Sequence, residues 1–148
     1  MRQVDPTPIF LEFDGGSGVS LRAIVSGEID FASAPSMQAR IIGACERERT
    51  RSLILDLTAV EFMDSSGLRV ILHLQRELSG DRGALVLFGL TDEVRKILKL
   101  TGLDQHLAVA DTLEQAEALL LEALADEALT DEALTDEALV ETDAEEQP

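Results

Sequence analysis

Leu53-Ile54-Leu55-Asp56-Leu57, and a few residues later Phe62-Met63-Asp64-Ser65-Ser66-Gly67-Leu68, carry the reading of the fold. From Ser52 the first stretch is short and almost continuously apolar, the mark of a central strand covered on both faces. A short loop over residues 60–64 then delivers two adjacent hydroxyls, Ser65 and Ser66, to the start of a helix. Leu68, Val70, Ile71, Leu74 and Leu78 share one helical face, and the run stops at Ser79-Gly80.

Upstream, residues 8–13 and 19–26 are apolar-rich runs separated by Asp14-Gly15-Gly16-Ser17-Gly18. Gly and Asp tolerate the positive φ of a tight turn, so the pair is expected to form a β-hairpin, closed by Gly27-Glu28-Ile29-Asp30. Ser33-Ala34-Pro35 is a helix start, with Pro35 where its missing N–H costs nothing. Met37, Ile41, Ala44 and Cys45 then recur at helical spacing. Downstream, residues 84–88 form another buried strand. Thr91-Asp92-Glu93 opens a short helix through Val94, Ile97 and Leu98, stopped at Thr101-Gly102. Leu107-Ala108-Val109 is the last strand, and Thr112 caps a final helix through Leu113, Ala116 and Leu120. The order β-β-α-β-α-β-α-β-α implies an α/β fold, a mixed sheet with helices packed on it.

The 148 residues suffice for one domain with a real core and are too few for two ordinary ones. Lys and Arg number 12 against 29 Asp and Glu, a net charge of −17. That surplus argues against nonspecific binding to nucleic acid or to an anionic membrane, both of which need basic surface. No long apolar run and no charged-then-apolar amino terminus occurs, so neither a membrane span nor a secretory signal is expected. The single cysteine, Cys45, excludes an intramolecular disulfide and a cysteine zinc cluster, as expected of a cytoplasmic protein.

The charge is uneven. Residues 114–148 hold 13 acids and no Lys or Arg, which leaves 16 acids against 12 bases in residues 1–113. Two regions follow, a domain over residues 1–125 and an acidic tail over residues 126–148. In the tail Asp-Glu-Ala-Leu recurs at Asp126, Asp131 and Asp136. A five-residue step turns each next leucine by roughly 140° around a helix, so Leu124, Leu129, Leu134 and Leu139 spiral instead of forming a stripe. A solvated, disordered tail is expected. A chain ending at Ala125 should therefore keep its cooperative unfolding and differ mainly in association rate with a basic partner at low salt. Calorimetry checks this: a melting temperature lowered by more than about 5 °C, near 1 kcal/mol for a domain this size, would mean that the tail packs on the body.

The chemistry sits at the two serines. Unpaired N–H groups and the positive end of the helix dipole favour an acceptor or an anion at a helix start. The plain structural reading makes Ser65 or Ser66 the N-cap, with Gly67 permitting close packing. Asp64 is either an acceptor that fixes the loop or a partner contact.

Phe62-Met63-Asp64-Ser65-Ser66-Gly67-Leu68 resembles the signature of the STAS domain, most closely that of the bacterial anti-sigma factor antagonists. Gly27-Glu28-Ile29-Asp30 looks like the family's early Gly-Glu-(Leu/Ile)-Asp element, Leu55-Asp56-Leu57 like its central strand, and Thr101-Gly102-Leu103 like its late (Ser/Thr)-Gly-Leu turn. The resemblance runs from roughly residue 8 to residue 120, in similar order and spacing. It implies a small α/β domain with a mixed sheet flanked by helices, and a switch. In such antagonists the first serine after the motif aspartate is phosphorylated by a partner anti-sigma factor that is itself a serine kinase. That position is Ser65 here, with Ser66 the neighbouring candidate. The unmodified form holds the kinase and frees a sigma factor, the phosphorylated form lets go, and a serine phosphatase is the further partner implied. The expected protein is a monomer without metal or cofactor and without direct nucleic-acid contact. Glu28, Asp30, Asp64, Ser65, Ser66 and Gly67 are the expected partner-binding residues, because segments 27–30 and 60–64 follow adjacent strands and should emerge at one end of a rigid sheet.

Catalysis by this chain is not expected. Ser65 has no evident base: His73 and His106 stand in no triad motif, with His73 partly exposed and His106 structural at the head of an apolar run. Gly15-Gly16-Ser17-Gly18 lacks the Gly-Lys-(Ser/Thr) ending of a phosphate-binding loop. Cys45 is expected to be an inert core thiol. The rival reading is a non-switching STAS binding module, such as an accessory subunit of a lipid transporter or a stressosome-type scaffold. A neighbouring gene for a small GHKL-type kinase or a serine/threonine phosphatase would favour the switch.

Overall fold

A computed structural model describes residues 9–14, 20–80 and 83–125; residues 15–19 of the expected hairpin turn and the tail over residues 126–148 lie outside them. Five strands form one sheet in sequence order: β1 (Ile9–Asp14), β2 (Leu21–Ile29), β3 (Ser52–Met63), β4 (Ala84–Phe88) and β5 (Ala108–Ala110). β1 is antiparallel to β2, and the other neighbours are parallel. Helices α1 (Ala34–Glu48), α2 (Ser65–Gly80) and α3 (Asp92–Thr101) link the parallel strands, and α4 covers residues 113–125. A 3-10 turn (Leu103–Gln105) follows α3.

β3 is the spine. Its first six residues are all buried, as its apolar run requires. Leu53, Leu55 and Leu57 meet Met37 and Ile41 of α1, Ile71 and Leu74 of α2, and Val94 and Leu98 of α3. Ile54 joins Val86, Ala110 and, from α4, Ala116 and Leu120 on the opposite face. Each such leucine or isoleucine, removed from water, contributes on the order of 1.5–3 kcal/mol. The starts of α3 and α4 are capped as their residues suggest. The Val94 N–H donates to Thr91 Oγ1, the Gln115 N–H donates to Thr112 Oγ1, and Gly102 ends α3 at φ 76°.

Two readings are corrected. Residues 60–63, expected in a loop, extend β3, and only Asp64 separates strand from helix. The β2–β3 register slips between Ile24 and Ser26 and again between Gly27 and Glu28, where Gly27 sits at φ 109°. Each slip moves the buried face by one residue, so the far half of β3 loses the two-residue alternation by which a strand is recognised. Asp56 secures the first irregularity: its Oδ1 accepts from the Thr58 N–H at 3.0 Å and from the Thr58 hydroxyl at 2.7 Å, and the Arg22 guanidinium lies 3.9 Å from Oδ2. The last strand starts one residue later than expected, because Leu107 turns into the larger core.

Candidate functional site

β2 and β3 end side by side, with Ile29 opposite Met63. The Asp64 N–H then donates to the Ile29 carbonyl at 3.1 Å and ties the start of α2 to the end of β2. α1 and α2 both begin at this carboxyl edge of the parallel strands, which brings segments 27–30 and 64–67 together. Asp64 is the cap of α2: its Oδ1 accepts from the Ser66 N–H at 2.8 Å, and its carbonyl accepts from Gly67 at 3.0 Å. This corrects the expectation that Ser65 or Ser66 caps the helix. Both hydroxyls are left without a hydrogen-bond partner among the described residues. Ser65, the first residue of α2, is exposed, and Ser66 is half-buried.

Gly67 lies buried beneath them. A Cβ there would stand 2.5 Å from Met63 Cγ and 2.9 Å from Ile29 Cγ2, so its hydrogen is what lets α2 close on the two strand ends. Asp30 holds the turn that leads into α1. Its Oδ1 accepts from the Ala32 and Ser33 N–H groups at 3.0 and 2.9 Å. Ser33 is buried, accepts the Asp30 N–H at 3.0 Å and donates to the Glu28 carbonyl at 2.8 Å. Both motif aspartates thus direct a carboxylate oxygen at backbone donors. Glu28, half-buried, stands opposite Phe62 on β3.

Sequence reasoning missed a groove beside the serines. It has a volume of about 330 Å³, and Phe31, Ala34, Pro35, Ala39, Ser66 and Arg69 are among the residues that line it. Phe31 is 82% exposed, in the turn between Asp30 and α1. An aromatic residue directly after the Gly-Glu-Ile-Asp element was the available signal, since a turn cannot bury a ring by itself.

Residues 21–116 match the sequence profile of the STAS domain. The chain belongs to the STAS family. The anti-sigma-B factor antagonist of Listeria monocytogenes is 34% identical over 85 residues, which cover 57% of this chain and 74% of that one. An anti-sigma factor antagonist from Mycobacterium paratuberculosis superposes with a TM-score of 0.68 at 30% identity, over 76% of this chain and 94% of that one. SpoIIAA, an anti-sigma factor antagonist whose unphosphorylated form has been solved, superposes at 0.63 with 24% identity, over 74% and 96% of the two chains, a likeness of fold.

The remaining reactive groups of this STAS domain stand apart from the serines. The His73 side chain is 40% exposed and lies 3.9 Å from Glu77, near the middle of α2. His106, expected to be structural, is exposed, and only its N–H is engaged, closing the 3-10 turn on the Leu103 carbonyl. Cys45 is buried, and burial pushes its thiol up from the usual range, with smaller opposing effects of Arg51 and Glu46. It is therefore protonated and unreactive at neutral pH. Among the described residues no cluster of His, Cys, Asp or Glu could hold a metal ion, and no helix is long and apolar enough to cross a membrane.

Proposed function

We propose that the chain is an anti-sigma factor antagonist of the cytoplasm: unphosphorylated, it binds an anti-sigma factor serine kinase and frees the sigma factor, and phosphorylation of Ser65 ends the binding. The observation that carries this reading is the division of labour at the start of α2. Asp64 does the capping, and the exposed Ser65 hydroxyl has no structural duty. A residue so placed can be modified without disturbing the fold. In the transfer, Ser65 Oγ displaces ADP from the γ-phosphorus of kinase-bound ATP, and the hydroxyl proton passes to a base on the kinase. This chain contributes the acceptor and the docking surface, so it acts as a binding regulator and not as an enzyme. The names of the Listeria and Mycobacterium relatives support the same role.

The partner surface centres on Ser65 and Ser66, flanked by Asp64 and by Glu28 and Asp30 from the neighbouring strand end; a serine phosphatase restores the binding form. The test is incubation with anti-sigma kinases and ATP followed by phosphosite mapping by mass spectrometry. The expected result is one phosphate on Ser65, abolished by Ser65→Ala and retained in Ser66→Ala. Phosphate mapped mainly to Ser66 or to another element would overturn the assignment.

A further inference from the structure

Arg69 lies four residues beyond Ser65 on α2 and shares the groove wall with Ser66. Among the described residues it is the one charged side chain lining that groove, and it is exposed with no hydrogen-bond or ion-pair partner there. It is the fifth residue of α2, past the first turn, where the helix dipole neither favours nor opposes it, and the acid at the helix start, Asp64, is engaged as the cap. Residues four apart are neighbours on the helix surface, and long helical side chains lean back over the preceding turn. Arg69 can therefore reach over position 65. The other charged groups that gather there, Asp64, Asp30 and Glu28, are acids, and the first two already accept backbone N–H groups. None of them can receive a phosphate oxygen. A guanidinium can, and with two parallel donors.

We propose that Arg69 is the positioning residue for a phosphate on Ser65, drawing the phosphoserine back along α2 toward the groove and holding it there. The proposal rests on the reading of Ser65 as the modified residue and adds what that residue does once modified. The pairing fixes the phosphate over the first turn of α2, where a docked partner would lie.

Phosphoserine placed at position 65 during translation makes the test independent of any kinase. In the full chain, ³¹P NMR titration is expected to give a second phosphate pKa about 0.2–0.4 lower with Arg69 present than in Arg69→Gln. Arg69→Lys should recover part of the difference, and added salt should shrink it. The change in melting temperature on phosphorylation should also become less favourable in Arg69→Gln, which removes no buried contact. Equal phosphate pKa values in all three chains overturn the proposal and leave the Ser65 reading standing. Failure of every anti-sigma kinase to label Ser65 overturns that reading instead, whatever the titration shows.

Discussion

The chain phosphorylated at Ser65 is expected to bind its anti-sigma kinase at least about a hundredfold more weakly than the unmodified chain, a difference of about 2.7 kcal/mol. The modification adds about −1.5 to −2 charge and three acceptor oxygens at pH 7. At a free helix start these are tolerated, because the first N–H groups of α2 and the helix dipole favour an anion. At a docked interface the dianion must be stripped of water, and its repulsion from Asp64, Asp30 and Glu28, screened by water in the free chain, grows as that water leaves. The two states thus differ in the complex and hardly at all in the free fold, as a release switch requires. Ser65→Ala should hold the kinase in the presence of ATP and unfold within about 1 kcal/mol of the parent, since the cap it might have removed belongs to Asp64. Ser65→Asp should fall between, one carboxylate being a poor copy of a dianion. Titration calorimetry decides the matter: affinities within threefold for the two phosphorylation states would mean that release is not driven from Ser65.

Most of this arrangement was legible because strand and helix positions are marked locally. β3 announces itself by six buried positions in a row, and α3 by Thr91 at one end and Gly102 at the other. The far half of β3 was illegible for a definite reason. Thr58-Ala59 and Glu61-Phe62 are pairs of adjacent exposed residues, and only the register slips against β2 allow such pairs within a strand. The identity of the cap turned on a helix boundary placed one residue earlier. Asp and Ser are comparable N-caps, so Asp64-Ser65-Ser66 offers three candidates whose ranking depends on where the strand stops. The groove left one mark in the sequence, Phe31 in a turn, and its walls come from two helices, so no period in the chain reveals its shape.

The close seat of α2 on the strand ends gives the second large effect. Gly67→Val is expected to destabilise the domain by about 3 kcal/mol, the upper part of the range for overpacking a filled core. The added Cβ stands 2.5 Å from Met63 Cγ and 2.9 Å from Ile29 Cγ2, and both of those residues are 0% exposed, so neither side chain can yield by swinging into solvent. Two further methyl groups make the conflict worse. At roughly 4 °C per kcal/mol for a domain of this size, the melting temperature should drop by about 12 °C. Gly67→Ala should cost less, because the smaller clash is offset by up to about 1 kcal/mol of helix propensity. Gly80→Ala, at the far end of the same helix with nothing within 4 Å of its Cβ, is the control and should be neutral or mildly stabilising. The consequence for function follows from the same geometry. Relief of the clash requires the first turn of α2 to lift from the ends of β2 and β3, which separates Ser65 from Glu28 and Asp30. Near room temperature, where Gly67→Val is still folded, it should therefore be phosphorylated more slowly than Gly80→Ala. A Gly67→Val chain that melts within 3 °C of the parent would show that α2 does not sit this close to the strand ends, and the surface built around Ser65 would have to be redrawn.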